Sequence, residues 1–381
     1  MRSSAVVPRP LHRLRPVALA LAVATALPAA AAEGFFASFD THERDLVADR
    51  ANALQVAIGS GPDAPYAAKH HAGYSGAHAL HYSSQGGAGR RTLFTTDHLI
   101  DADTTLSWMV LPESVGDDHV SSTYVSLDLL LDDGSRLSAS NALDQHGVAI
   151  GAAAHGASKT LYPQQWARKA VRLSDVAGLR GRRITAIALE VAPQGGAPVS
   201  GWLDDIAIAE IPRVAPARPS DWVLTTRGTQ SNGTFSRGNN FPATAVPHGF
   251  NFWTPATDAG TLGWLYRWNE HNGADNRPRL QALSLSHQPS PWMGDRQTFQ
   301  VMPSKHSGAP EADRVKRALA FSHANEVARP YRYAVQLDNG IQAEIAPTDH
   351  AALFRFRFPP GGDANLLFDN VDARGGLTLD A

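Results

Sequence analysis

The residues best equipped for chemistry lie between Leu283 and Pro303, in the stretch LSLSHQPSPWMGDRQTFQVMP. It gathers His287, Trp292, Asp295 and Arg296 between two strand-like runs. Pro289 and Pro291 stiffen the loop, and Gly294 permits a sharp bend beside the charged pair. A flat apolar plate next to hydrogen-bonding groups is what a sugar pocket needs. The bland alternative is that Asp295 and Arg296 form a surface ion pair of little energetic value. A second candidate is the loop from Gly228 to Asp258, where glycine and asparagine cluster ahead of Phe241-Pro242. Such backbone approaches a ligand closely and offers free amide donors, with Asn240 and Phe241 at its centre. By composition alone it is a long, turn-rich surface loop. Trp264, Tyr266 and Trp268 alternate at period two, which on a strand places all three on one face. That face serves either as a sugar-stacking platform or as the core of a sandwich.

Short strands and tight turns must position these groups. Tyr331 to Leu337 and Ile341 to Ile345 flank Asp338-Asn339-Gly340, a strong hairpin signal. Leu353, Arg355 and Arg357 then alternate with Phe354, Phe356 and Phe358, which predicts a third strand. Upstream, Phe35 to Asp40, Val125 to Leu131, Ile184 to Val191 and Trp202 to Ile208 read as strands separated by Gly, Pro and Asp turns. The chain of 381 residues is 43% hydrophobic and 18% charged, so two or three packed domains are expected. It holds 32 glycines and 25 prolines, which favours β-structure over long helices. The absence of cysteine excludes a disulfide scaffold, a thiol nucleophile and zinc fingers.

Residues 2–15 carry four arginines and no acid, Val17 to Leu27 is apolar, and Ala30-Ala31-Ala32 precedes Glu33. This is the pattern of a cleaved signal peptide over residues 1–32, and the apolar run is too short to span a bilayer comfortably. A periplasmic or secreted protein without a membrane span is expected. Removing the four leader arginines from the 34 basic residues leaves 30 against 36 acidic, a net charge of −6. That balance argues against nucleic acid and for a neutral polar ligand. Ile211 to Asp221 holds three prolines within eight residues and predicts an extended linker over 211–220. The chain is thus expected to be all-β, with two β-sandwich, jelly-roll-like domains at 33–210 and 221–381. His70, His71, His78 and His81 cluster in the first domain without the spacing of a known metal site.

The opening Phe-x-x-Phe-Asp and the closing Trp-Leu-Asp-Asp-Ile resemble the first and last strands of galactose-binding-like jelly rolls, a fold of many carbohydrate-binding modules. That resemblance implies a structural calcium held by Asp40, Asp204 and Asp205, whose oxygens are ligands of suitable hardness. Read without it, the acidic pair is a solvated turn. In the second domain three blocks, GNNFPATAVPHG, SLSHQPSPWMGDRQTFQVMP and FSHANEVARPYRYAVQLDNGIQAEIAPT, follow one another as in the N-terminal domain of glycoside hydrolase family 92, the calcium-dependent exo-acting α-mannosidases. Arg329-Pro330-Tyr331 lacks the family's usual glycine, and Asp349-His350 stands where an arginine is usual.

The resemblance implies an inverting hydrolase of mannose-containing glycans whose acid, base and most calcium ligands sit on a C-terminal (α/α)6 domain. No helical run of that length follows the sandwich before Ala381, so the family's helical domain is expected to be missing from this chain. No catalytic residue is therefore assigned. Glu326 and Asp295 fall in motifs of the non-catalytic domain. His287, Trp292 and Asp295 are expected as wall residues of the pocket, with Asn240 and Phe241 behind them. The alternative is a secreted, non-catalytic carbohydrate-binding protein.

Overall fold

The computed structural model describes residues 34–40, 46–49, 51–213, 215–231, 236–237, 240–246, 251–257, 265–268, 271, 273–286, 299–370 and 378. The first module contains nine strands: β1 (Phe35–Ala37), β2 (Gln55–Gly59), β3 (Ala79–Ser84), β4 (Gly89–Leu99), β5 (Thr104–Pro112), β6 (Val125–Leu131), β7 (Ala167–Arg172), β8 (Arg183–Val191) and β9 (Val199–Glu210). One sheet runs β2-β3-β9-β5-β7, with β1 also on β9, and the other runs β4-β8-β6. All pairs are antiparallel. The apolar run Ile184 to Val191 has its physical cause here. Ile184, Ile187 and Leu189 turn inward from one sheet to meet Leu106, Trp108, Leu203 and Ile206 of the other in a single buried cluster. Phe35 pairs with Ile208, so the first and last strands lie side by side.

The Val125–Leu131 strand was legible to the residue, but its partner was not. The Asp132-Asp133-Gly134 turn returns only to a single bridge between Leu130 and Arg136, and β6 pairs instead with β8. A short helix, α1 (Ala152–Ser158), covers β6.

The second module contains a two-residue pair, β10 (Gln230–Ser231) with β11 (Ser236–Arg237), and then β12 (Phe252–Thr257), β13 (Arg279–Ser286), β14 (Gln300–Lys305), β15 (Leu319–Arg329), β16 (Arg332–Leu337), β17 (Gln342–Pro347), β18 (Ala352–Arg357) and β19 (Ala364–Asp369). The order is β18-β17-β16-β15-β13-β14-β19, with β12 on β13. Only Arg279↔Ala320 and Leu280↔Leu319 join β13 to β15. This narrow join lets the two halves fold onto each other. Leu283 and Met302 from one half share a core with Tyr333, Val335 and Ile345 from the other. The all-β, two-sandwich expectation holds, and the described helices are α1 and the single turn α2 (Arg314–Arg317) besides short 3-10 turns. Among the described residues no helix is long and apolar enough to cross a membrane.

The hairpin expected at Asp338-Asn339-Gly340 joins β16 to β17. Leu337 N donates to the Ile341 carbonyl at 2.8 Å, and Gly340 takes the left-handed conformation the turn requires, φ 87°. On β18 the expected alternation also holds. Leu353, Arg355 and Arg357 are exposed, while Phe354 and Phe356 are half-buried against the core. Glu344 accepts from Arg332 and Arg355 across the outer face. The period-two reading of Trp264, Tyr266 and Trp268 fails. Trp264 lies outside the described residues, and 265–268 carry no strand. Leu265, Tyr266 and Arg267 are all buried, so no alternation of faces exists.

The linker is fastened at both ends. Ile211 N donates to the Asp103 carbonyl, and Arg172 reaches back to the Ile211 carbonyl at 2.7 Å. At the far end Arg218 lies over the Tyr331 ring, 4.5 Å from its centroid, and the Tyr331 hydroxyl donates to Asp221.

Gly201 on β9 tests the first core. A Cβ there would meet the Tyr82 hydroxyl at 2.3 Å and the Leu111 carbonyl oxygen at 2.7 Å. Gly201→Ala should destabilise the module by about 1–3 kcal/mol, read as an earlier urea midpoint. An unchanged midpoint would show that the strands part easily at this point.

Candidate functional site

Strand β15 departs from its ladder where the FSHANE block falls. Phe321 pairs with Leu337, and the next pair is Glu326 with Val335, so residues 322–325 bulge opposite Gln336 alone. A bulge of this kind re-aims side chains that a regular pleat would alternate. Here it brings His323 and Glu326 together, with His323 Nδ1 2.8 Å from Glu326 Oε2.

The Glu326 side chain is 2% exposed, and among the described residues it has no lysine or arginine partner. Its charge is met by hydrogen bonds. The Tyr266 hydroxyl donates to Oε2 at 2.7 Å and the Tyr333 hydroxyl to Oε1 at 2.8 Å. Burial, reinforced by the Glu326 charge, raises both phenols well above their usual range, so they stay protonated as donors. The second ring nitrogen of His323 contacts the Trp268 carbonyl at 2.6 Å, and the imidazole stacks on the Trp268 indole at 3.6 Å. With both carboxylate oxygens engaged, Glu326 holds two aromatic residues and an imidazole in place. It is a positioning group rather than a free base.

The structure sorts the expected site residues unevenly. His287, Trp292 and Asp295 lie outside the described residues. Asn240 is exposed; its N donates to the Gly228 carbonyl at 2.9 Å and its side-chain amide to the Arg227 carbonyl at 3.2 Å. Phe241 is buried. Asn240 therefore fastens the turn at Arg227 and Gly228.

Asp40, Asp204 and Asp205 converge on the turn at 74–78. Asp204 is fully buried; Oδ2 accepts from Tyr74 N at 2.7 Å and Ser75 N at 3.3 Å, and Oδ1 from Asp205 N at 2.7 Å. Asp40 Oδ1 accepts from Ala77 N and His78 N at 2.6 and 3.0 Å. The Ser75 hydroxyl donates to Asp205 Oδ1 at 2.6 Å. Gly76 is obligatory there, because a Cβ would fall 1.7 Å from Asp40 Oδ2. Among the described residues no group of three or more His, Cys, Asp or Glu side chains is arranged to hold a metal ion. These hydrogen bonds make the three carboxylates a clasp on the loop. The histidines upstream make local contacts, such as His70 Nδ1 with Asp63 at 2.7 Å.

Burial lifts Asp204 well above the carboxylate range, and Asp205 adds repulsion. Burial likewise pushes Asp205 up to about 6, against the Ser75 hydrogen bond and with repulsion from Asp40. Sequence reading missed Tyr66, Tyr74 and Trp166, single aromatics without a pattern to mark them.

Residues 222–377 match the model of the glycosyl hydrolase family 92 N-terminal domain. An uncharacterised secreted glycosidase of the fungus Arthroderma benhamiae is 27% identical over 134 residues, which are 33% of this chain and 16% of the relative. A family 92 inverting mannosidase of Bacteroides thetaiotaomicron is 35% identical, with 40% of this chain and 20% of that one covered at a TM-score of 0.35. A family 92 α-mannosidase of the same organism is 26% identical over the same shares, at a TM-score of 0.33. The chain thus spans a fifth or less of the length of these relatives.

Two outcomes follow from the clasps. Tyr333→Phe removes one donor to a buried carboxylate and should cost about 1.5–3 kcal/mol, measured by thermal unfolding; no shift would mean that water replaces the phenol. For Asp205 the folded state holds its proton more tightly than the unfolded chain. Its stabilising contribution is therefore full below about pH 4 and is lost as pH rises through about 6. Asp205→Asn should be more stable than the parent at pH 7, by up to about 3 kcal/mol, with the gap closing near pH 4. A gap independent of pH would refute the buried ionisation.

Proposed function

We propose that this chain is the N-terminal part of a secreted α-mannosidase acting on mannose-containing glycans, with its second module forming one wall of the sugar pocket. The observation that carries this reading is the family match over 222–377, which takes in all three sequence blocks in order. The buried Glu326 cluster supports it. An inverting hydrolase needs an acid and a base with room for water between them. Glu326, closed in by two phenols and an imidazole, has no such room, so acid and base are sought on the helical domain of the same polypeptide. The apolar leader at residues 17–27 and the secreted relative favour an extracytoplasmic location.

In this reading His287, Trp292 and Asp295 face the sugar, and the Asn240–Phe241 support lies behind them. The native secreted protein should release mannose from α-1,2-linked mannobiose, with inversion at the anomeric carbon followed by NMR. Trp292→Ala should lower kcat/KM by roughly tenfold, the size of one lost aromatic contact. Unchanged kinetics would remove Trp292 from the wall. No release from any α-mannoside would sink the hydrolase reading and leave a secreted glycan-binding protein.

A further inference from the structure

The two modules meet along a seam that encloses two adjoining cavities. One, of about 310 Å³, is lined by Tyr66, Tyr74 and Trp166 of the first module and by Gly228, Thr229 and Trp268 of the second. The other, of about 380 Å³, lies between Asp40, Ser75 and Asp205 on one side and Trp268, Asn276 and His323 on the other. Tyr74 and Trp268 border both cavities, one from each module. Each cavity has the size of a small-ligand pocket.

The seam is held by a specific contact. Lys69 Nζ, from the first module, donates to the His271 and Gly273 carbonyls of the second. The loop it grips is shaped in turn by Asn276, which sits in the left-handed region at φ 47°. Its N donates to the Gly273 carbonyl, and its Oδ1 accepts from His271 N. Asn276 is buried, and among the described residues its Nδ2 has no hydrogen-bond acceptor although the residue borders the second cavity. A buried amide donor without a partner costs free energy that a bound acceptor would recover.

The lining has the chemistry of a polyol site. Tyr66 is 48% exposed, Tyr74 packs edge-on to Trp166 at 6.0 Å, and Trp268 is backed by His323. Aromatic faces of this kind take the C–H surface of a sugar ring. Asp40 and Asp205 supply acceptors, while the Asn276 amide supplies a donor. Both signs of charge line the seam, with Arg168 on the first cavity and Arg277, Asp40 and Asp205 on the second. A neutral ligand with many hydroxyls satisfies such a mixture better than an anion or a cation does.

We infer that the seam between the two modules is a saccharide-binding site built jointly by both. The choice of mannose as probe rests on the hydrolase reading, but the site itself does not. The test is calorimetric titration of the full chain with α-1,2-mannobiose and with cellobiose. Tyr66→Ala, Asn276→Asp and, as control, the exposed Tyr162→Ala are titrated in parallel. Binding of either disaccharide by the parent, weakened roughly two- to tenfold in Tyr66→Ala and weakened in Asn276→Asp but unchanged in Tyr162→Ala, is the expected result. No heat from either sugar at millimolar concentration, or equal affinity in all four proteins, would overturn the seam site. Mannose release by the native secreted protein is assayed separately. Hydrolysis without seam binding sinks this inference alone, and seam binding without hydrolysis sinks only the hydrolase reading.

Discussion

A buried carboxylate held by two phenols and an imidazole sets the terms for the second module. A carboxyl group in a low-dielectric interior is tolerable only when hydrogen bonds replace water at both oxygens. Tyr266, Tyr333 and His323 supply those bonds, and each comes from a different stretch of chain. Satisfying one charge therefore fixes the segment at 265–268, the bulge of β15 and the start of β16 relative to one another. The bulge gains its purpose from this demand. A regular ladder through 322–325 would not deliver His323 and Glu326 to the same point.

The first module solves a like problem with backbone rather than phenols. Asp40 and Asp204 draw in the amides of Tyr74, Ser75, Ala77 and His78, so a turn with few apolar contacts acquires a defined shape. The two clasps meet at the seam. The carboxylates of one place Tyr74 and Ser75 on the cavity wall, and the carboxylate of the other places Trp268 and His323 opposite them. Fold and candidate site are thus one construction, in which polar groups that cost free energy to bury decide where the aromatic faces stand.

This division explains what the sequence made legible. Strands with a two-sided environment announce themselves, because the pleat forces period two. The hairpin at Asn339-Gly340 and the Phe/Arg alternation of β18 were readable for that reason. Tyr266 and Trp268 carry the same spacing, yet the segment is held by Glu326 and His323 and not by a ladder, so periodicity misled. Pairing partners were also hidden. Nothing local in Val125–Leu131 says that β8, more than fifty residues on, will lie beside it. The acidic residues Asp40, Asp204 and Asp205 were rightly grouped, but their type alone does not distinguish a metal cage from a loop clasp. The seam could not be read at all, since Tyr66, Tyr74, Trp166 and Asn276 come together only through the packing of two modules.

Strand β18 ends its sheet among the described strands, so its outer backbone groups face no neighbour. Such an edge invites a strand from another molecule to dock and begin a fibre. Arg355 and Arg357 project from this strand, and Arg332 stands nearby around Glu344, so more positive than negative charge is crowded along the rim. Two copies approaching edge to edge would have to bring those guanidinium groups together. The ladder that decorates the outer face thereby acts as a deterrent to self-association, and keeps an open sheet margin from becoming a seed for aggregation.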